Sequence, residues 1–233
     1  MKINGKMVTA IAVGVVAVAG IMAATVSRAG GSTDVVKTRS AAAFEKVLTA
    51  ASGQVSEDGE QGGWSLTAPD GSAAFVWSND YSSSPLYDVM IEFDAKPFLE
   101  AGLDTGKLPG NYVLDGEKLI VGQKLGNEKA DGETEATALE AFQAIPDRHR
   151  DALNYHMDMD HFGVKLGDGN MFEWANDMET NDKDIVFALN PEPLLAAGAD
   201  PEKAEGWSYG QVETEEDGRM VSVYRFLKPF EIQ

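Results

Sequence analysis

The sequence predicts an α+β protein built as a tandem duplication. A module of one helix, three strands, a short helix and two strands occurs twice, with mainly antiparallel sheets. Three observations predict it. First, Tyr87–Asp104 reads YDVMIEFDAKPFLEAGLD and Lys183–Asp200 reads KDIVFALNPEPLLAAGAD, so Asp88, Pro97, Leu99, Ala101, Gly102 and Asp104 recur as Asp184, Pro193, Leu195, Ala197, Gly198 and Asp200. Second, Phe75-Val76-Trp77-Ser78-Asn79-Asp80 recurs upstream as Phe172-Glu173-Trp174-Ala175-Asn176-Asp177. Third, the Asp-Gly turns at Asp70-Gly71 and Asp115-Gly116 have counterparts at Asp168-Gly169 and Asp217-Gly218. The features keep one order in both copies, which is the signature of an internal repeat.

Each element has a local reason. In copy one a helix is expected to start after Ser40, a good N-cap, with Phe44, Val47, Leu48 and Ala51 on one face. In copy two Thr137-Ala138-Leu139-Glu140 has the spacing of a capping box, followed by Phe142 and Ile145. Asp-Gly turns then fold Trp64–Ala68 back onto Ser72–Trp77, and Gly167-Asp168-Gly169 does the same in copy two. The next strands, Val89–Phe93 and Ile185–Leu189, run into short helices. Asp94 and Asn190 are the expected N-caps, the prolines sit in the first turn, and Gly102 and Gly198 end the helices. A final hairpin closes each copy. Residues 30–126 form copy one, the polar, acidic stretch 127–135 is a linker, and residues 136–233 form copy two. Strands in runs, with few helices, point to antiparallel sheets that carry a helix on one face.

Residues 1–29 stand apart from the repeat. Lys2 and Lys6 precede an uncharged apolar run, Met7–Val26, and Ser27-Arg28-Ala29 follows it. A basic start and an apolar run are the pattern of an export signal. The run is roughly 20 residues, also the length that spans a bilayer. Two readings stay open: cleavage after Ala29, or an uncleaved N-terminal membrane anchor. Both place the rest of the chain outside the cytoplasm, and both confine membrane contact to the N-terminal segment.

Composition narrows the partners. Lys plus Arg is 19 against 38 for Asp plus Glu, a net charge of −19. Such a surface repels phosphate backbones, so nucleic acid is not an expected partner. Its simplest consequence is solubility. There is no cysteine, which excludes disulfides, thiolate metal sites and cysteine nucleophiles.

Two clusters carry candidate chemistry. The copies differ most between the first helix and the first hairpin. There copy one has Asp58, Glu60, Gly62 and Gly63, whereas copy two has His156-Met157-Asp158-Met159-Asp160-His161. Imidazoles and carboxylates within one short segment make His156, Asp158, Asp160 and His161 a candidate set for a divalent cation. The plainer reading puts Tyr155 and His156 at the end of a helix and Asp160 in the turn before the Phe162 strand. The second cluster is the duplicated Trp-x-Asn-Asp: Trp77, Asn79 and Asp80, with Trp174, Asn176 and Asp177. Its oxygens suit Ca²⁺ and its indoles suit stacking on a sugar or peptide. The structural alternative is a core tryptophan ending a strand ahead of an Asn-Asp turn.

Two functions follow. One is an exported, non-catalytic module that binds a protein, peptide or envelope component. The other is an extracytoplasmic metal-dependent hydrolase working through the His/Asp cluster of copy two.

Overall fold

The computed structural model describes residues 33–58, 63–78, 89–123, 137–148, 152–156, 160–176, 184–216 and 219–232. The N-terminal segment and the linker lie outside these residues, as do Asn79, Asp80, Asp158 and Asp177. Among the described residues no helix is long and apolar enough to cross a membrane.

Copy one begins with helix α1 (Thr33–Ala50), followed by strands β1 (Val55–Asp58), β2 (Gly63–Thr67), β3 (Ala73–Ser78) and β4 (Val89–Asp94). Helix α2 (Lys96–Glu100) and strands β5 (Tyr112–Asp115) and β6 (Lys118–Gln123) complete it. Copy two repeats the order with α3 (Ala138–Arg148), β7 (Leu153–His156), β8 (His161–Lys165), β9 (Met171–Ala175) and β10 (Ile185–Leu189). Helix α4 (Pro191–Ala196) and strands β11 (Ser208–Glu216) and β12 (Arg219–Phe230) end it. The strands form two six-stranded sheets, in the orders β1-β2-β3-β4-β6-β5 and β11-β12-β10-β9-β8-β7. All their pairings are antiparallel. The α+β duplication is therefore present, with one strand more per copy, β1 or β7, than the sequence pattern showed.

Three local expectations change. Ser40 is not an N-cap. Helix α1 starts earlier, at Thr33, and the buried Ser40 hydroxyl donates to the Lys37 carbonyl inside the helix at 2.9 Å. Asp94 does not cap α2, because its carboxylate is taken by the Lys118 ammonium at 2.7 Å and the N-cap is Ala95. Tyr155 and His156 lie in strand β7, paired with Phe162 and His161, rather than at a helix end. The other caps hold. The Thr137 hydroxyl accepts from the Glu140 amide, and the Glu140 carboxylate accepts from the Thr137 amide. Asn190 accepts from the Glu192 amide.

The core is shared between the copies. Sheet register makes Phe75 equivalent to Phe172 and Trp77 to Trp174. Equivalent residues meet one another. The Phe75 and Phe172 rings stack at 4.1 Å, and Phe44 stacks on Phe142 at 3.8 Å. The Asp104 amide donates to the Ala197 carbonyl at 2.9 Å, and the Asp200 amide to the Ala101 carbonyl at 2.8 Å. Gly102 and Gly198 face each other there. A Cβ on either would lie 3.1 Å from the other's carbonyl oxygen, and both have positive φ. Self-to-equivalent contact is the geometry of a two-fold interface, realised here within one chain.

The long helices cross over. Helix α1 packs on β7 and β9 of copy two, and α3 packs on β3 of copy one. The Arg39 guanidinium of α1 lies over the rings of Tyr155 and Phe162, and the Trp77 indole donates to the Ala138 carbonyl of α3 at 2.9 Å. Residues 31–233 accordingly form a single compact unit. The sequence boundary between the copies separates repeats, and each repeat lends its helix to the other's sheet.

Candidate functional site

Alternation along the strands sends Phe172 and Trp174 of β9 into the shared core, and Met171 and Glu173 to the other side of the sheet. In β10, Ile185 and Phe187 face the core, and Val186 and Ala188 face outward with Glu173. Outward residues of an edge-to-edge sheet normally meet solvent. Here Glu173, Val186 and Ala188 are buried, and the last hairpin of copy two is long. Strand β12 runs 12 residues where β6 runs 6, and β11 runs 9 where β5 runs 4. Two-stranded ribbons twist strongly. Val212, Glu213 and Thr214 of β11 line one cavity with His161, from strand β8 towards the sheet's opposite edge.

That cavity has a volume of about 160 Å³. Met171, Val186, Ala188, Val212, Leu227 and Pro229 supply its apolar wall, and His161, Glu173, Glu213, Thr214 and Arg225 its polar positions. His161 and Glu173 are each only 4% exposed. The His161 Nδ1 lies 3.9 Å from a Glu173 carboxylate oxygen, near enough to interact electrostatically and too far for a hydrogen bond. His161 Nδ1 has no hydrogen-bond partner. A buried polar atom left in this state costs free energy, and native proteins leave few of them. The Arg225 guanidinium donates to the Tyr224 carbonyl at 3.0 Å and lies against Gly169, in the β8–β9 turn.

Among the described residues copy one lines this face differently, with half-buried Glu92 at the position of Ala188. Its register places Val76 where copy two has Glu173, Met90 at Val186, Ile120 at Leu227 and Gly63 at His161. Val76, Met90 and Ile120 form a small apolar cluster with Ala74 and Val113.

The sequence-derived candidates fall as follows. Trp77 and Trp174 are fully buried, and their rings pack against Phe44, so neither presents a face for stacking on a sugar or peptide. Asn176 donates to the Asp160 carboxylate, at 3.2 Å to one oxygen. Tyr155 also donates to Asp160, and that hydrogen bond raises the phenol's pKa. Asp160 takes up the turn between β7 and β8 at φ 52, as the turn reading expected. Asp160 and His161 are neighbours with different company. Asp160 is held by Tyr155, whose ring packs on the core residue Phe162, and His161 faces Glu173 across the outer cavity. Among the described residues no cluster of three metal-ligating side chains occurs. The side chain of His156, with Asp158, Asn79, Asp80 and Asp177, is outside the described residues.

Glu173, Thr214 and Arg225 were not legible as site residues. One signal was available for Glu173: it replaces Val76 within an otherwise apolar repeated strand. No protein-family model matches the chain, and neither a curated protein nor a solved structure is similar to it.

Proposed function

We propose that this chain is a non-catalytic binding module that acts outside the cytoplasm, and that its ligand is seated in the cavity on the outer face of the second sheet. The observation that carries the reading is the buried, unpartnered His161 Nδ1 at a cavity of about 160 Å³ with a largely aliphatic wall. An apolar pocket with a few convergent polar groups is the default form of a ligand site. The volume admits a small molecule or one projecting group of an envelope component or peptide. The asymmetry between the copies supports the same reading: contacts that build the core recur in both, and the hollow occurs where Glu173 and His161 replace Val76 and Gly63. Export rests on the N-terminal pattern of Lys2, Lys6 and the Met7–Val26 run.

The test is methyl-resolved NMR of the purified chain against a library of compounds of up to ten heavy atoms. Binders are expected to shift the Met171 and Val186 methyl resonances, and Ala188→Phe, which fills the cavity, is expected to remove those shifts. Binding that leaves both methyls unmoved overturns the site. For location, mass spectrometry of the chain recovered from the culture is expected to find it outside the cytoplasm. An intact chain confined to the cytoplasm overturns that part.

A further inference from the structure

We infer that the outer edge of strand β11 takes up an extended cationic peptide as a further strand of the second sheet. This site lies on the strand edge and does not depend on a ligand in the cavity.

Sheet order and strand length define the edge. Strands β1, β5, β7 and β11 end the two sheets. The first three have 4 residues each, and β11 has 9. Natural sheet edges are blunted by short strands, by Lys or Pro, or by a covering element. The β11 sequence, SYGQVETEE, holds neither Lys nor Pro. Ser208, Tyr209, Gln211 and Glu213 are exposed, and a Cβ on Gly210 would meet nothing within 4 Å.

Register decides which backbone groups that edge presents. In an antiparallel sheet successive residues bond to opposite neighbours. The Ala175 amide donates to the Asp184 carbonyl, one position beyond the β9–β10 ladder. This parity gives Val186 and Ala188 to β9, and Ile185, Phe187 and Leu189 to β12. On β12, Phe226 and Lys228 then bond back to β10, and Val223, Arg225 and Leu227 bond to β11. Their partners there are Val212, Gly210 and Ser208. Tyr209, Gln211 and Glu213 are left with amides and carbonyls directed away from the sheet, where no strand lies among the described residues.

Charge and side chains choose the occupant. Strand β11 carries Glu213, Glu215 and Glu216 and no cation, in a chain of net charge −19. On β12, Lys228 is paired with Asp70, Arg225 is buried opposite Gly210, and Arg219 stands at the far end opposite Glu216. A second copy would set one acidic strand against another, which is unfavourable, whereas a basic strand is complementary. Alternation puts Tyr209, Gln211 and Glu213 on one face of β11. The Tyr209 ring stacks on Tyr224 at 5.2 Å, and both are partly exposed. Arginines at alternate positions of the incoming strand would meet the Glu213 carboxylate and these rings, gaining ion-pair and cation–π energy.

The probe is an alternating Arg-Thr peptide of about seven residues, an ordinary strand length, titrated into the full chain by calorimetry. At saturation, amide exchange at Tyr209, Gln211 and Glu213 is expected to slow by about tenfold or more. The same peptide N-methylated on its arginine amides keeps every charge but cannot donate to the edge. It is expected to bind about tenfold more weakly, the value of one or two net hydrogen bonds. Methylation of the threonine amides instead is expected to leave the affinity nearly unchanged. Gln211→Pro removes an outward amide at a position where an edge strand tolerates proline, and it is expected to weaken binding as well. If that variant does not fold, the methylated peptides carry the test. Equal binding of the parent and arginine-methylated peptides, or unslowed amides, means attraction to the acidic surface alone and overturns strand addition. A Glu-Thr peptide that binds as tightly overturns the cationic assignment. A concentration-dependent dimer that slows the same three amides overturns the occupant in favour of a second copy. If the Arg-Thr peptide does not bind, the edge site fails, and the cavity reading, tested at Met171 and Val186, stands apart from it.

Discussion

The two faces of each sheet have different histories written in them. On the inner faces several equivalent residues are identical and meet: Phe75 meets Phe172, Phe44 meets Phe142, and Gly102 meets Gly198. On the outer faces they part. Copy one keeps Val76, Met90 and Ile120 in an apolar cluster, and copy two has Glu173, Val186 and Leu227 beneath an elongated hairpin. The inner contacts are self-complementary, so a change on one side alters its own partner surface. That couples the two copies and preserves them. The outer faces do not touch each other's equivalents, so a glutamate in place of valine and a longer last hairpin leave the shared contacts unaltered. Pseudo-symmetry thus marks what the fold needs, and its loss marks where a specialised site can sit.

That contrast can be broken at several points. The largest effect is expected at the inner face. Phe75→Ala or Phe172→Ala removes one ring of a fully buried stack and should cost about 4 kcal/mol. Because the core is shared, each should lower a single cooperative transition, read by calorimetry. Two separate transitions, one unaltered, would show that the copies fold independently. Next is the transplant of the outer-face difference. Val76→Glu buries a carboxylate among Met90 and Ile120 and should cost about 3 kcal/mol. The denaturation midpoint checks this, and an unchanged midpoint would mean that copy one's outer face already accommodates charge.

The close approach on the pseudo-axis is third. Gly102 adopts φ +99, and an added Cβ would meet the Gly198 carbonyl at 3.1 Å. Gly102→Ala should therefore cost about 2 kcal/mol, and Gly198→Ala about the same. Unequal losses would show the axis to be less symmetric than the geometry implies.

The smallest effect is at the rim between the copies. Asp70 of the β2–β3 turn forms an ion pair with Lys228 of β12 at 2.9 Å. Burial acts to raise the Asp70 pKa, but hydrogen bonds from Ser72 and Lys228 outweigh it and hold the pKa at about 2. A lowered folded-state value means that this stabilisation is complete above the ordinary value of 3.8 and is lost as the pH falls through about 2. Asp70 is largely exposed, so solvent screening limits the contribution to about 1 kcal/mol. Asp70→Asn should lower stability by that amount at neutral pH and by progressively less as the pH falls from 3.8 towards and below 2. A constant difference across this range would remove the ion pair as its cause.

Much of the fold was legible because it is local. The Asp-Gly turns at Asp70-Gly71, Asp115-Gly116 and Asp168-Gly169, the Thr137–Glu140 capping box, the Asn190 cap and the glycines after the short helices act through neighbours in sequence, and each appears where the pattern placed it; Asp217-Gly218 lies outside the described residues. Ser40 and Asp94 were misjudged for one reason. Each is a capable cap, but each found a competing partner, a helix carbonyl in one case and Lys118 in the other. Strand β7 was obscured because Leu153-Asn154-Tyr155-His156 is short and carries no turn signal before it. The candidate site was half legible. The histidine-rich segment drew attention to His161, but its neighbour Asp160 turns to Tyr155 and Asn176, and His161 turns to a glutamate one strand away.

The sequence by itself determined that a module is repeated, where its turns and caps fall, and which strand faces are apolar, because these depend on residue type and on spacings of two to four positions. Only the tertiary structure decided that each long helix packs on the other copy's sheet. It alone decided that equivalent residues meet across a pseudo-axis, and that the β11–β12 hairpin bends over Glu173 and His161 to enclose a cavity. Those outcomes depend on how strand twist accumulates and on which of two similar apolar faces buries the more area, quantities that belong to the whole packed chain and to no segment of it.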